Sequence, residues 1–293
     1  MPSTIRYRSY AKINLYLDIL RQRRDGYHNI ETLFLTVSLA DTLAFTEQSS
    51  RITLVTSVSE LESGESNLVY RAAALLKKRT GCPQGVHITL EKRIPIAAGL
   101  AGGSGNAAAT LVALNRLWDL RLTTPALQAL ALELGSDVPF CTVGGLAAAT
   151  GRGEQLQALL PLRPTWFLLL HPPVAVSASR VYNNPALEHS RERPFAGKTR
   201  AFRKAIRALE QDALEAVVFN RMEIPVFADH PQLAAAKQEL LDKGCLAAAM
   251  SGSGSTLFGV CTSQKMAEKI AASFNGYETS VVRNVPMGVE CIQ

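Results

Sequence analysis

Pro95-Ile-Ala-Ala-Gly99-Leu-Ala-Gly102-Gly103-Ser-Gly105-Asn-Ala-Ala-Ala-Thr110 decides how this chain is read. Four glycines, Gly99, Gly102, Gly103 and Gly105, fall within seven residues. They lie between a strand-like run over 86–94 and a helix-like run that starts near Asn106. Backbone without Cβ atoms exposes successive N–H groups and lets a bulky anion come close. The positive end of the following helix points at the same spot. Strand, glycine loop and helix start together read as a phosphate cradle. The competing reading is a tight strand-to-helix turn that holds no ligand.

The P-loop pattern requires a lysine after its last glycine, and none stands here. Gly197-Lys198-Thr199 occurs elsewhere, but Glu192 occupies the position of the first glycine. A dinucleotide pattern fits Gly103, Gly105 and Ala108, yet it lies beyond a proline and no βαβ unit opens the chain. An NAD-dependent dehydrogenase therefore rests on that match alone.

The rest of the chain is ordinary in composition: 293 residues, 47% apolar and 19% charged. This is enough for a large core in one or two domains. No apolar run is long enough to span a bilayer. The first ten residues carry no apolar signal core, which predicts a cytoplasmic protein with no membrane partner. The five cysteines are scattered without metal-ligand spacing, so the expectation is reduced thiols and no metal site. The net charge of +6 suits either nucleic acid or a small anionic substrate. The basic residues are dispersed and not interleaved with aromatics, which argues against a nucleic-acid partner.

Alternating apolar runs predict strands over 5–10, 13–20, 30–39, 42–47 and 51–56, with a hairpin signal at Asp25-Gly26. Lys12 and Asn14, two apart on a strand, point to one side and make a pocket wall or a solvent-facing edge. Tyr27-His28 on the following turn can stack on a flat ring and bond its edge, or be a satisfied surface pair. Ser66-Asn67 caps a helix to Arg79, and further helices are predicted over 106–118 and from Thr124 to Gly135. Asp137 then stands alone in an apolar setting, as a functional carboxylate or a helix cap. Glycine pairs near 144–153 and the prolines at 161–164 mark a boundary, dividing the chain into 1–155 and 156–293. Beyond it the pattern predicts strands over 166–170, 246–250, 257–261 and 278–285, and helices over 198–209, 212–221, 231–243 and 263–274. Ser251-Gly-Ser-Gly-Ser255 is a second Gly/Ser loop, a plain hairpin or a donor of N–H and hydroxyl groups to phosphate. Strands and helices mix without regular alternation, so the fold class is α+β.

Five separated stretches carry a resemblance: Ala11-Lys12-Ile13-Asn14-Leu15, Asp25-Gly26-Tyr27-His28, the loop at 95–109, Gly135-Ser136-Asp137-Val138-Pro139-Phe140, and residues 250–258. Their order and spacing resemble the GHMP small-molecule kinases, and within them the diphosphocytidyl-methylerythritol kinase branch. The resemblance implies a ribosomal-protein-like β-α amino-terminal domain and a carboxy-terminal α/β sandwich domain. It implies ATP-dependent phosphorylation of a hydroxyl of a cytidine diphosphate-linked methylerythritol for isoprenoid synthesis. Asp137 would take the hydroxyl proton and Lys12 would pair with it. Asn14, Tyr27, His28 and Tyr182 would touch substrate, the aromatic groups at the cytosine. Asn67, Leu68 and Lys92 would lie near the adenine and ATP. Pro95, Gly99, Leu100, Ala101, Gly102, Gly103, Ser104, Gly105 and Asn106 would hold the triphosphate, and Gly252, Ser253, Gly254 and Ser255 would close over the transfer. Mg²⁺ is expected without a dedicated protein site, in a monomer or weak homodimer. Three positions depart from the family pattern: Ala101 adds a methyl where glycine is usual, Gly105 lacks the second serine's hydroxyl, and Ala178 stands where threonine is usual.

Overall fold

The computed structural model describes residues 3–293; Met1 and Pro2, at the head of the segment read as lacking a signal core, lie outside it. β1 (Thr4–Gln22) and β2 (His28–Gln48) form one long antiparallel hairpin. It turns at Gly26, whose φ is 83°. The sequence reading divided each of these strands in two. The division has a physical cause: the register shifts between Tyr10 and Ala11, between Asn14 and Tyr16, and between Ile19 and Arg21. The first of these falls where both readings broke, and from Ala11 to Ile19 every residue of β1 is buried, so the alternation stops without the strand ending.

β3 (Ile52–Thr56) lies parallel to β4 (Gly85–Glu91), with α1 (Leu68–Thr80) as the crossover. Asn67 caps α1 by accepting from Val69 N–H, and Gly81 stops it at a φ of 69°. α2 (Gly102–Leu117), α3 (Thr124–Leu134) and α4 (Val138–Val143) follow. β5 (Leu146–Thr150) pairs with β2, and β6 (Gln155–Ala158) with β5. The glycine-rich segment read only as a break therefore holds two strands. β7 (Trp166–His171), α5 (Ala178–Tyr182) and α6 (Arg200–Glu210) come next. The helix expected over 212–221 is instead a 3₁₀ turn at Leu214–Ala216 followed by the two-residue strand β8 (Phe219–Asn220). β8 runs parallel to Tyr16 and Leu17 of β1, and that pairing overrides the local helical pattern. α7 (Glu223–Asp229), α8 (Pro231–Asp242), β9 (Ala247–Met250), β10 (Leu257–Cys261), α9 (Gln264–Ala271), β11 (Glu278–Arg283) and β12 (Val289–Cys291) complete the order.

One sheet runs β12-β1-β2-β4-β3, with β5, β6 and β8 attached, and the other runs β11-β7-β10-β9. The fold is α+β. Two apolar layers serve the sheets separately, and a third joins them. In that third layer Ile13, Leu15, Leu33 and Leu35 of the hairpin meet Phe167, Leu169, Phe258 and Val260 of the second sheet. Each such side chain contributes about 1.5–3 kcal/mol on burial, so the halves are held together by ordinary core packing. The proposed division at 155/156 cuts through β6, and β8 and β12 carry later residues back into the first sheet. Among the described residues no helix is long and apolar enough to cross a membrane. Cys82, Cys141, Cys245 and Cys261 are buried free thiols, and Cys291 is exposed.

Candidate active site

The loop after β4 is anchored at its foot by Asp41, which is fully buried. Its Oδ1 accepts the N–H groups of Arg93 at 2.7 Å and Ile94 at 2.8 Å, and its Oδ2 lies 2.6 Å from Lys92 Nζ. Lys92 also donates to Ile94 O at 2.6 Å. Burial pushes the Lys92 pKa down, and the Asp41 carboxylate opposes that shift. Lys92, expected beside the nucleotide, borders a cleft at the glycine run with its ammonium already taken by Asp41.

The glycine run is not a loop ahead of the helix but the first turn of α2, which begins at Gly102, earlier than the expected Asn106. Ala101 holds the N-cap position at φ 55°, in the left-handed region, and no side chain caps the turn. The first intrahelical bond runs from Gly105 N–H to Ala101 O at 2.8 Å. The N–H groups ahead of it are the orphan donors that every helix start leaves. Gly99 has φ 75°, and a Cβ there would fall on Ser251 O and lie 3.1 Å from Gly254 N. The second Gly/Ser loop thus closes against the first, with Ser251 Oγ donating to Gly99 O at 3.0 Å. Gly105 faces β1: a Cβ on it would stand 2.6 Å from Ser9 Oγ and 3.3 Å from Tyr10 O. The hydroxyl that Gly105 lacks would therefore sit against β1 and not in a cleft.

Lys12 stands at the centre. It is 4% exposed. Its Nζ donates to Asn14 Oδ1 at 2.7 Å and Gly99 O at 3.3 Å, and pairs with Asp137 Oδ2 at 3.4 Å. The Phe34 ring lies beneath it, with its centroid 5.4 Å away. Asp137 occupies the N-cap position of α4 but makes no capping bond. Its carboxylate, about one-third exposed, turns to Lys12 and the cleft instead. The capping alternative for this residue is thereby set aside.

Two clefts of about 580 Å³ each meet here. One is bordered by Asn67, Leu68, Lys92, Pro95, Leu100, Gly102, Gly103 and Asn106, together with Glu60 and Glu62. The other is bordered by Lys12, Asn14, Tyr27, His28, Asp137, Tyr182 and Ala178. Gly99, Ala101 and Ser104 belong to both. Gly252 and Ser253 line the second cleft, not the first. Gly254 packs on Gly99, and Ser255, nearly buried, donates its hydroxyl to Pro172 O. Gly105, Gly254 and Ser255 border neither cleft.

The far wall of the second cleft is aromatic. His28 is buried and stacks on Tyr182 at 5.2 Å and on His189 at 5.3 Å. Burial, helped by His189, lowers the His28 pKa and keeps its ring neutral at pH 7. Tyr27 remains 54% exposed, with the Arg152 guanidinium 4.5 Å above its ring. Sequence reading missed Arg152, Asp41 and Phe34. Arg152 sits between Gly151 and Gly153, both at positive φ, and that glycine–arginine–glycine spelling was its signal. Asp41 and Phe34 gave none, because their roles arise across strands.

Two family models match the chain: the GHMP kinases N terminal domain over residues 67–145 and the GHMP kinases C terminal over 195–278. A 4-diphosphocytidyl-2-C-methyl-D-erythritol kinase of Shouchella clausii is 39% identical, covering 96% of this chain and 94% of that protein. One of Moorella thermoacetica is 43% identical, covering 90% of this chain and 92% of the relative. The crystal structure of a 4-(cytidine 5'-diphospho)-2C-methyl-D-erythritol kinase superposes with a TM-score of 0.80 at 35% identity, over 95% of this chain and 98% of the other. A homoserine kinase from Cytophaga hutchinsonii, 20% identical with a TM-score of 0.75 over 99% of this chain and 97% of its own, shares the fold. The chain therefore belongs to the GHMP kinases and, within them, to the 4-diphosphocytidyl-2-C-methyl-D-erythritol kinase family.

Proposed function

We propose that the protein transfers the γ-phosphoryl group of ATP to the 2-hydroxyl of 4-diphosphocytidyl-2-C-methyl-D-erythritol, a step of the non-mevalonate route to isoprenoid precursors. The observation that carries this reading is the Lys12–Asp137 pair, 3.4 Å apart, facing the cleft that joins the glycine-bordered one at Gly99, Ala101 and Ser104. ATP occupies the glycine-bordered cleft with its phosphates on the uncapped start of α2. The alcohol occupies the other, its base against Tyr27, His28 and Tyr182.

In the transfer, the hydroxyl oxygen forms a bond to the γ-phosphorus while the bond from that phosphorus to the β-phosphate oxygen breaks. Asp137 accepts the hydroxyl proton, and ADP departs. An alcohol is a weak nucleophile, so a placed carboxylate is worth about 10²–10⁴-fold. Lys12 holds Asp137 and offers positive charge to the moving phosphoryl group; otherwise the chemistry is positioning and charge neutralisation. Among the described residues no three His, Cys, Asp or Glu side chains form a metal cluster. Ser104 at the junction and Asp137 in the alcohol's cleft offer oxygen atoms, which suit an ion carried by the triphosphate that keeps water ligands, as Mg²⁺ does. Bound there, Mg²⁺ would neutralise phosphate charge. The protein acts in the cytoplasm as a monomer or weak homodimer.

The test is ADP release from purified protein with ATP, Mg²⁺ and the cytidyl alcohol, beside mevalonate and homoserine. Turnover with the cytidyl alcohol alone is expected. Turnover only with mevalonate or homoserine, or with none of the three, refutes the assignment.

A further inference from the structure

Behind Lys12 lies a buried relay of hydrogen bonds whose direction is set by a residue outside the cleft. Asn14 offers Lys12 an oxygen at 2.7 Å, and its Nδ2 lies 2.8 Å from Thr32 Oγ1. Thr32 is fully buried and borders neither cleft. A threonine hydroxyl has one hydrogen. Thr32 gives it to Tyr16 O at 2.7 Å, so toward Asn14 it can only accept. A side-chain amide has nearly the same shape in both orientations, and with Nδ2 toward Lys12 two buried donors would face each other, as would two acceptors at Thr32. We infer that Thr32 is a positioning residue for the transfer: through Asn14 it fixes which end of the amide faces Lys12, and so holds the Lys12 ammonium in place. This rests on the reading of Lys12 given above.

The test is a cycle of Thr32→Val and Asn14→Ala, with Thr32→Ser, the wild type and Asp137→Asn in the same coupled assay. Thr32→Val keeps the shape and removes both hydrogen-bonding functions. It is expected to lower kcat about 10- to 100-fold, in the range that small misplacements of catalytic groups cost, with the KM for ATP within about twofold. Thr32→Ser restores most of the loss. In the Asn14→Ala background Thr32→Val has almost no further effect, because the group it acts through is gone. An undiminished kcat in soluble Thr32→Val, or a full-sized loss that persists beside Asn14→Ala, overturns the inference. If Thr32→Val does not fold, Thr32→Ala takes its place in the same cycle. An active wild type with a silent Asp137→Asn protein upholds the proposed function whatever Thr32 does. A wild type inactive on the cytidyl alcohol strikes that function instead. The same cycle, read then by unfolding midpoint, must still show Thr32 and Asn14 coupled, and additive effects there overturn the inference.

Discussion

Gly105→Ala places one methyl group on the face of α2 that meets β1. In an open helix it would gain about 1 kcal/mol of helix propensity. Here the new Cβ stands 2.6 Å from Ser9 Oγ and 3.3 Å from Tyr10 O, so neighbours must move. Overpacking of this kind costs about 1–3 kcal/mol, and the single variant is expected to lose about 1 kcal/mol net. Ser9 Oγ is itself buried without a hydrogen-bond partner. Removing an unsatisfied buried hydroxyl recovers about 1 kcal/mol, so Ser9→Ala alone is expected to stabilise. The double variant loses the 2.6 Å collision and the stranded hydroxyl and keeps only the 3.3 Å approach to Tyr10 O. It should exceed the wild type by about 2 kcal/mol, or roughly 4 °C in Tm for a chain of this size. The coupling between the two changes is therefore expected to be about 2 kcal/mol and favourable. Urea unfolding of the four proteins measures it, and turnover in the double variant should stay near that of the wild type. If Gly105→Ala stabilises with Ser9 present, or the two effects simply add, then Ser9 does not dictate the glycine and the reasoning is refuted.

Asp137→Asn should lower kcat by about 10²–10⁴-fold with little change in the KM for ATP, read in the same coupled assay. Asp41→Ala should strand the buried Lys92 ammonium and cost about 3–5 kcal/mol in denaturant unfolding; an effect under 1 kcal/mol would mean that the loop does not depend on that pair. The lowered pKa of His28 means that the unfolded chain takes the proton first as pH falls below 6.5. Stability present above that value is then lost on acidification down to the folded pKa, by at most about 1.4 kcal/mol per pH unit. His28→Gln should flatten this part of the pH profile, and an unchanged slope would contradict the burial argument.

The sequence marked the site through residues whose chemistry is unusual for their surroundings. Lys12 in an apolar strand, Asp137 among apolar neighbours and the glycines after Pro95 all stand out locally, and the structure brings them together. What it could not show arises between distant segments. The hairpin strands looked interrupted where the register shifts at Tyr10 and Ala11 and alternation gives way to burial on both faces. Residues 212–221 looked helical because nothing local reveals that Phe219 and Asn220 pair with β1. Asp41 carries no local signal, yet it ties down the residues that launch the glycine turn. Gly105 stood out only as a missing hydroxyl at the phosphate loop; what a side chain there would meet is Ser9, a contact across elements.

β12 covers β1 at Tyr7–Ser9, and the Tyr10 hydroxyl donates to Glu290 at 2.6 Å across 280 residues of chain. This has a consequence for the protein during its own synthesis. At about 5–20 residues per second, roughly 15–60 s pass between the emergence of these two partners from the ribosome. Throughout that interval the strand that carries Lys12 has a bare edge, the kind of surface on which nascent chains misassociate. The amino-terminal half cannot finish first and wait; its sheet gains its last edge strand only when β12 arrives. A stalled or shortened message would therefore release a first sheet that lacks β12 along Tyr7–Ser9 of β1.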